Sequence, residues 1–317
     1  MNCLCCGKPL KEPFPDSGWH PTCIRRFFST KVLPEIELSD ETMTLLAEKA
    51  VQKGHTVPGV QKKLSLHLSL ESTPRLTLVD YPTGYILKPQ VDEFPALPEA
   101  EHLVMQMADV SGLAVVPHAL VRLKDTYAYM TRRVDRVYTQ DDISVQMLAM
   151  EDFCQLDQRM TQDKYRSSYE RCVKVIQRYS SRPGLDLSEL FLRLVFCFLT
   201  GNSDMHLKNL SLIETASESG LYTLSAAYDL LPVNVIMPED TEEFALTMNG
   251  KKNHIRRSDF LAFADAAGIP RKAAETMIHK LLGLAPTWMK LCDDSLLPYG
   301  MKKELTRLIQ ERSERMF

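Results

Sequence analysis

The chain has 317 residues, of which 44% are hydrophobic and 25% charged, and its net charge is −3. Such a composition suits a folded globular protein, leaves room for two packed lobes of roughly 150 residues each, and excludes wholesale disorder and a strongly basic nucleic-acid-binding surface, though not a local basic patch. The longest apolar run, 190–200, is broken by Arg193 and falls short of the ~20 residues of a membrane span, and Met1-Asn2-Cys3-Leu4-Cys5-Cys6 lacks a basic start with an apolar core, so a cytoplasmic protein without membrane association is expected.

Four of the eight cysteines, Cys3, Cys5, Cys6 and Cys23, crowd the first 23 residues. Cys3, Cys6, His20 and Cys23 make a C-x2-C-x13-H-x2-C arrangement, a donor set that suits a tetrahedral structural zinc. A module over 1–30 is too small to build an adequate core, and a structural zinc would supply the missing folding energy. Four protein ligands leave no open position, so the role would be structural or partner-binding. Cys5 is a spare thiol or an alternative ligand, and free or redox-active thiols are the competing explanation. Cys154, Cys172, Cys197 and Cys292 are scattered and are expected to be buried free thiols.

Residues 31–55 form a linker with a helix over 41–53, capped by Ser39. The stretch 63–70 alternates polar and apolar residues without a fault, which predicts a half-buried strand. Further strands are expected over 75–79 and 84–88, then a helix over 98–110, then a hairpin formed by 115–124 and 127–131 about Lys124-Asp125. A β-rich lobe thus occupies 31–140. From 141 to 317 the texture is helical, with helices over 147–157, 164–180, 187–200, 258–267, 270–283 and 301–316, and a short strand pair at 210–213 and 221–224. Gly268-Ile269-Pro270 is a stop and restart between two of these helices. Met147, Met150 and Met160 read as core packing, as do Trp19 and Trp288, and the basic pairs Arg25-Arg26, Lys251-Lys252 and Arg256-Arg257 as solvated faces. Two lobes make a cleft, where ligands bind.

The segment Gly201-Asn202-Ser203-Asp204-Met205-His206-Leu207-Lys208-Asn209 follows an apolar helix and precedes a short strand. Asp204 and Asn209 have the D-x-x-x-x-N spacing of a kinase catalytic loop, in which the Asp takes the acceptor hydroxyl's proton and the Asn holds magnesium. Asp229 lies twenty residues on, after the strand pair, where a second magnesium ligand would belong. A capping Asp, a turn Asn and a solvated Asp would share the same spacing. Lys88 ends a strand, and Glu99 or Glu101 on the next helix could pair with it over ATP phosphates; a solvated lysine and dipole-favouring glutamates are the simpler account. The loop entering the alternating strand has only Gly54 and Gly59, which is poor as a phosphate motif on its own.

Taken in order, these segments resemble the HipA family of bacterial serine/threonine kinases, the toxins of HipBA-type toxin–antitoxin systems. The resemblance runs over about 55–260 and rests on Pro58-Gly59-Val60-Gln61-Lys62-Lys63-Leu64-Ser65-Leu66, Tyr85-Ile86-Leu87-Lys88-Pro89, Pro98-Glu99-Ala100-Glu101-His102, Thr131-Arg132-Arg133-Val134-Asp135-Arg136, Glu151-Asp152-Phe153-Cys154-Gln155-Leu156, the 201–209 segment and Tyr228-Asp229. It implies an α+β, two-lobed protein-kinase-like fold behind a small zinc-knuckle-like module. It implies that Asp204 is the catalytic base with His206 beside it, that Asn209 and Asp229 hold Mg²⁺, and that Lys88, supported by Glu101, holds ATP phosphates. Pro58, Gly59, Val60, Gln61, Lys62 and Lys63 would form the phosphate-side loop, Arg132, Arg133 and Val134 the hinge that meets adenine, and His206 and Lys208 would also line the ATP site. Thr56 aligns with the serine that family members autophosphorylate. Val134 replaces the usual aromatic of its segment, and only about 54 residues precede the loop. The chain is therefore similar to the short, split HipT-like form, whose partners would be a HipS-like small antitoxin and a HipB-like helix-turn-helix protein, with DNA reached only through the antitoxin. The expected substrate is a protein, aminoacyl-tRNA synthetases being targets in the family. A zinc-bearing pseudokinase scaffold and a small-molecule phosphotransferase are the alternative readings.

Overall fold

A computed structural model of the chain describes residues 1–36, 63–69, 74–77, 84–138 and 145–317. The helix expected over 41–53, its Ser39 cap, Thr56 and the loop residues Pro58, Gly59, Val60, Gln61 and Lys62 lie outside the described residues. The chain divides into two compact units, Met1–His102 with Val116–Arg133, and Leu103–Val115 with Val134–Phe317.

The first unit is built on a six-stranded sheet. Its strands are β1 (Glu35–Ile36), β2 (Leu64–Ser69), β3 (Arg75–Thr77), β4 (Tyr85–Pro89), β5 (His118–Leu123) and β6 (Thr126–Arg132), ordered β1-β3-β2-β4-β6-β5. β1 pairs with β3 in parallel and the other neighbours are antiparallel. The alternation expected in β2 is realised: Leu64 and Leu66 are buried while Ser65 between them is exposed. The β5–β6 hairpin turns at Lys124-Asp125 as expected, with Lys124 at φ 50°, the left-handed region that unbranched residues enter at modest cost.

The sheet's apolar face does not close on itself. Leu64, Leu66, Leu76, Leu87, Val121 and Met130 share one core with Cys3, Leu4, Trp19, Ile24, Phe27 and Phe28. Helix α1 (Pro21–Phe28), opened by a proline at its first turn, supplies Phe27 and Phe28; the Trp19 ring lies 5.6 Å from each, and Phe28 lies 5.3 Å from Tyr85 of β4. The Leu120 amide of β5 donates to the Leu4 carbonyl at 2.8 Å. The Cys-rich segment therefore packs against the sheet's own core, as expected of a piece too small to support itself.

Helix α2 (Leu97–Val110) matches the expected 98–110 and continues from the first unit into the second. The second unit holds a two-stranded ribbon, β7 (Arg136–Tyr138) with β8 (Val145–Met147), and a three-stranded sheet of β9 (Met150–Asp152), β10 (Ser211–Glu214) and β11 (Tyr222–Leu224). Its helices are α3 (Phe153–Leu156), α4 (Tyr169–Tyr179), α5 (Pro183–Thr200), α6 (Val233–Ile236), α7 (Arg257–Ala267), α8 (Arg271–Gly283), α9 (Ala285–Asp293) and α10 (Tyr299–Glu314). From Leu190 to Thr200 every residue of α5 is buried, so the apolar run is a core helix. Among the described residues no helix is long and apolar enough to cross a membrane. Gly268 at φ 74° ends α7, and α8 restarts after Pro270 as expected. Trp19 and Trp288 are fully buried, and Cys154, Cys172, Cys197 and Cys292 are buried free thiols.

Some expectations are corrected. The stretch 147–157 is not one helix: Met150 and Asp152 pair with Ile213 and Ser211 in a strand ladder, and Asp152 then caps the short α3, its carboxylate accepting from the Gln155 amide while the Gln155 side chain accepts from the Asp152 amide. Tertiary strand pairing overrides the helical periodicity there. Met147 and Met160 are consequently exposed, not core. The helix expected from 164 begins only at Tyr169, after Ser168 accepts from the Arg171 amide, and the one expected from 187 begins at Pro183. One of the basic pairs, Lys251-Lys252, is only partly solvated, since Lys251 pairs with Asp259 at 2.7 Å and Lys252 with Glu242 at 3.0 Å.

Candidate active site and metal centre

In the first unit, Lys88 sits near the end of β4, its side chain turned inward. Its ammonium lies 2.6 Å from Glu101 Oε1, and the two residues are 2% and 0% exposed. Of the two glutamates considered, it is Glu101 on α2 that meets the lysine. The Lys88 Nζ also stands 5.2 Å over the Tyr129 ring. Lys63 is exposed just before β2. At the end of β6 the Arg132 amide donates to Pro117 O at 3.0 Å and the Arg133 amide to Gly84 O at 2.8 Å; the division between the units falls between Arg133 and Val134.

In the second unit the catalytic-loop candidates are gathered by a sharp stop at the end of α5. Gly201 adopts φ 78°, and a Cβ there would meet the Leu308 side chain at 3.1 Å, so glycine is required both for conformation and for space. Asn202 Oδ1 then accepts from the Asp204 amide at 3.1 Å, and the Asp204 carbonyl accepts from the His206 amide at 2.8 Å and from Asn209 Nδ2 at 2.9 Å. Asn209, 6% exposed, thus spends its amide nitrogen on the Asp204 backbone and keeps its amide oxygen as a hard donor. The Asp204 carboxylate accepts the Tyr165 hydroxyl at 2.7 Å. His206 is buried, which pushes its imidazole below the ordinary pKa and keeps it neutral at pH 7. Lys208 pairs with Asp152 at 2.6 Å, tying the 201–209 segment to the 151–156 segment.

Asp229 is held at φ 55°, a left-handed conformation that costs a non-glycine residue about 1–3 kcal/mol. Its neighbour Tyr228 fixes the segment: the Tyr228 hydroxyl lies 2.6 Å from Ser211 Oγ and donates to the Lys208 carbonyl at 3.1 Å. Asn209 and Asp229 therefore hang from elements joined through one phenol, and an amide oxygen with a carboxylate suits Mg²⁺. Arg193, fully buried on α5, donates to Ser225 O at 2.9 Å, on the segment that leads to Asp229. Sequence reasoning assigned no part to Tyr165, Tyr228, Asn202 or Arg193. Asn202 sat inside the segment it caps and was within reach of local reading; Tyr165 lies 39 residues from Asp204 and carries no local signal.

The first unit also carries the metal candidates. One donor atom from each of Cys3, Cys6, His20 and Cys23 lies within 4.8 Å of the others. Cys6 Sγ and Cys23 Sγ stand 3.4 Å and 3.9 Å from His20 Nδ1. Ligand atoms around a tetrahedral zinc with bonds of about 2.3 Å to sulfur and about 2.0 Å to nitrogen are about 3.5 Å apart, so the set fits the ion. The His20 Nε2 lies 3.1 Å from Pro9 O, the contact through which a backbone carbonyl fixes the tautomer that frees Nδ1 for a metal. The His20 amide donates to Cys3 Sγ at 3.3 Å. Cys5, although buried, stands outside this set.

Comparison with known proteins shows the family and the fold to which the chain is similar. The family model described as the HipA-like C-terminal domain matches residues 55–289. A protein of Haemophilus influenzae named "Putative kinase" is 29% identical over 244 residues, covering 72% of this chain and 67% of its own. Putative kinase Y4mE of Sinorhizobium fredii is 30% identical over 221 residues, and the matched stretch is 68% of this chain but only 51% of that relative. Among solved structures, HipA in the HipA, HipB and operator DNA complex of Shewanella oneidensis MR-1 superposes with a TM-score of 0.70 at 21% identity, over 85% of this chain and 70% of that one. The proinflammatory kinase CtkA of Helicobacter pylori superposes with a TM-score of 0.55 at 17% identity, over 79% and 90%. The α+β kinase-like fold expected from the sequence is the fold observed.

Proposed function

This chain belongs to the HipA-like C-terminal domain family, and from that premise we propose that it is an ATP-dependent serine/threonine protein kinase, the toxin of a HipBA/HipBST-like toxin–antitoxin system. The observation that carries the reading is the buried Lys88–Glu101 pair at 2.6 Å. Desolvating two charges costs several kcal/mol per ion, which apolar residues of the same size would avoid, and a strand lysine held by a helix glutamate is how kinases engage ATP phosphates.

In this reading Asp204 receives the proton of a serine or threonine hydroxyl as that oxygen bonds to the γ-phosphorus and the bond to ADP breaks. Asn209 through Oδ1 and Asp229 through its carboxylate hold the metal, and His206 and Lys208 line the same site. Bound Mg²⁺ would neutralise charge developing on the transferred phosphoryl group. Lys88 engages ATP phosphates with Glu101 orienting it, Pro58 to Lys63 are the proposed phosphate-side residues, and the backbone of Arg132, Arg133 and Val134 meets adenine. A structural zinc on Cys3, Cys6, His20 and Cys23 would brace the core beneath β4, the strand that carries Lys88.

Calorimetry with the Asp204→Asn variant, which cannot label itself, tests the nucleotide site: saturable, Mg²⁺-dependent ATP binding is expected, and folded, unphosphorylated protein that binds none would move the reading to a pseudokinase scaffold. Asp204→Ala should abolish phosphoryl transfer. A HipB-like helix-turn-helix protein is the proposed partner, supported by the likeness to HipA of the HipA–HipB–operator DNA complex, with DNA reached through it; a HipS-like small antitoxin belongs to the same proposal. A native complex containing neither would count against both. Thr56 is the proposed autophosphorylation site, and a phosphopeptide elsewhere with Thr56 unmodified would remove it.

A further inference from the structure

We propose that Tyr165 is the positioning residue of Asp204: its hydroxyl holds Oδ1 of the carboxylate and leaves Oδ2 to take the acceptor's proton. The inference rests on the kinase reading above and deepens it.

The Asp204 main chain is pinned through its amide by Asn202 and through its carbonyl by the His206 amide and Asn209 Nδ2. None of these bonds sets the rotation of the side chain. The Tyr165 hydroxyl does, at 2.7 Å from Oδ1. A neutral hydroxyl donating to a carboxylate is among the stronger hydrogen bonds, and it fixes direction as well as distance.

Tyr165 is itself held in place. Its ring stands edge-on to His206 at 5.0 Å and 71°, and the Lys164 ammonium lies 4.7 Å over it. The Lys164 carbonyl accepts the Leu207 amide at 3.2 Å, and the Tyr169 hydroxyl donates to Met205 O at 3.0 Å. The segment 164–169 is thus stitched to 204–207 on both sides of the tyrosine. Tyr165 is nevertheless 41% exposed. Core packing does not require a tyrosine there, since a residue serving only to fill space would be covered. Partial desolvation and the carboxylates of Asp204, Asp240 and Glu242 push the phenol above its ordinary pKa, so it stays a donor throughout the physiological range.

The test is turnover of Mg·ATP to ADP by the full chain, read by chromatography, which needs no identified substrate because water or the chain's own hydroxyls can accept. Tyr165→Phe keeps the ring and removes the donor. ADP formation should fall roughly 10- to 100-fold, the range expected for one hydrogen bond to a charged group. The Kd for Mg·ATP from calorimetry and the thermal midpoint should stay near those of the parent, which a merely structural role would not produce. In the Asp204→Asn background, read as residual ATP hydrolysis, the same substitution should change the rate by no more than about two-fold, because with the proton-accepting carboxylate gone the hydroxyl has no base left to aim. An unchanged rate in Tyr165→Phe, an equal penalty in both backgrounds, or recovery of phosphotyrosine at position 165 (which would make it an acceptor) each overturns the inference while leaving the kinase reading intact. Absence of ADP formation by the folded parent chain overturns the kinase reading and the inference together.

Discussion

The buried pair in the first unit offers the sharpest energetic test. Glu101→Ala takes away the carboxylate 2.6 Å from a Lys88 ammonium that is 2% exposed. Removing one member of a buried ion pair costs about 3–5 kcal/mol, because the remaining charge keeps its desolvation penalty and loses its compensation. The Tyr129 ring 5.2 Å from Nζ is already engaged in the parent and offers no new relief. Replacing both members, Lys88→Met with Glu101→Leu, removes the two charges together and should return stability to within about 1 kcal/mol of the parent. Urea unfolding followed by circular dichroism, with linear extrapolation, measures both variants on one scale. Mg·ATP calorimetry then separates stability from function: the double variant should be folded yet bind no nucleotide. A loss below about 1 kcal/mol in Glu101→Ala, or a double variant less stable than the single, would refute the reasoning that this pair is retained for function at an electrostatic cost.

The remaining predictions address other parts of the molecule. Protein kept reduced should carry zinc at one per chain, and removing it with a chelator should expose Trp19, which is fully buried beside His20, and red-shift its fluorescence while Trp288 in the second unit stays buried; substoichiometric zinc would refute the assignment. Asp229→Asn, which enters the left-handed region as readily as Asp, should remove most of the Mg²⁺ dependence of ATP binding while stability stays near that of the parent; an unchanged Mg²⁺ dependence would refute the assignment. His118 sits half-buried against His102, with their Nδ1 atoms 3.0 Å apart, and desolvation there together with the Arg26 charge pushes its pKa down from 6.5 to about 3. Below pH 6.5 the unfolded chain therefore binds a proton that the folded chain refuses, so this group's contribution is present above pH 6.5 and is lost as pH falls toward 3, at up to about 1.4 kcal/mol per pH unit. His118→Gln should be less acid-sensitive than the parent in urea melts at pH 4–6; parallel pH profiles would refute it.

Local chemistry made much of the architecture legible. The unbroken alternation at Leu64, Ser65 and Leu66 became a strand with one buried face, Gly268 and Pro270 marked a helix stop and restart, and Lys124-Asp125 made the hairpin turn. Each of those signals is written within a few residues, so neighbours in sequence decide it. Residues 147–157 misled for the opposite reason. Their periodicity allowed a helix, but Met150 and Asp152 found a partner strand sixty residues away, and the ladder outweighed a weak local preference. The Cys-rich start was recognisable by its ligand spacing, whereas its packing against the sheet through Trp19, Phe27 and Phe28 was not, because an apolar surface in sequence does not name what covers it.

The division is the same at the candidate site. The residue types and their order, Lys88, Glu101, Asp204, Asn209 and Asp229, could be read from the chain, since phosphoryl transfer draws on few side chains and their spacings survive as motifs. Which glutamate meets Lys88, which oxygen Asn209 keeps, and what holds the Asp204 carboxylate were decided only by folding. Glu101 was preferred to Glu99 by the direction each takes from α2, Asn209 by a bond to the Asp204 backbone, and Tyr165 by contacts between segments 39 residues apart. Motifs record residue types at fixed spacings, which is why sequence alone determined the candidate set; the contacts that orient those side chains depend on distance and angle, and only the tertiary structure sets those.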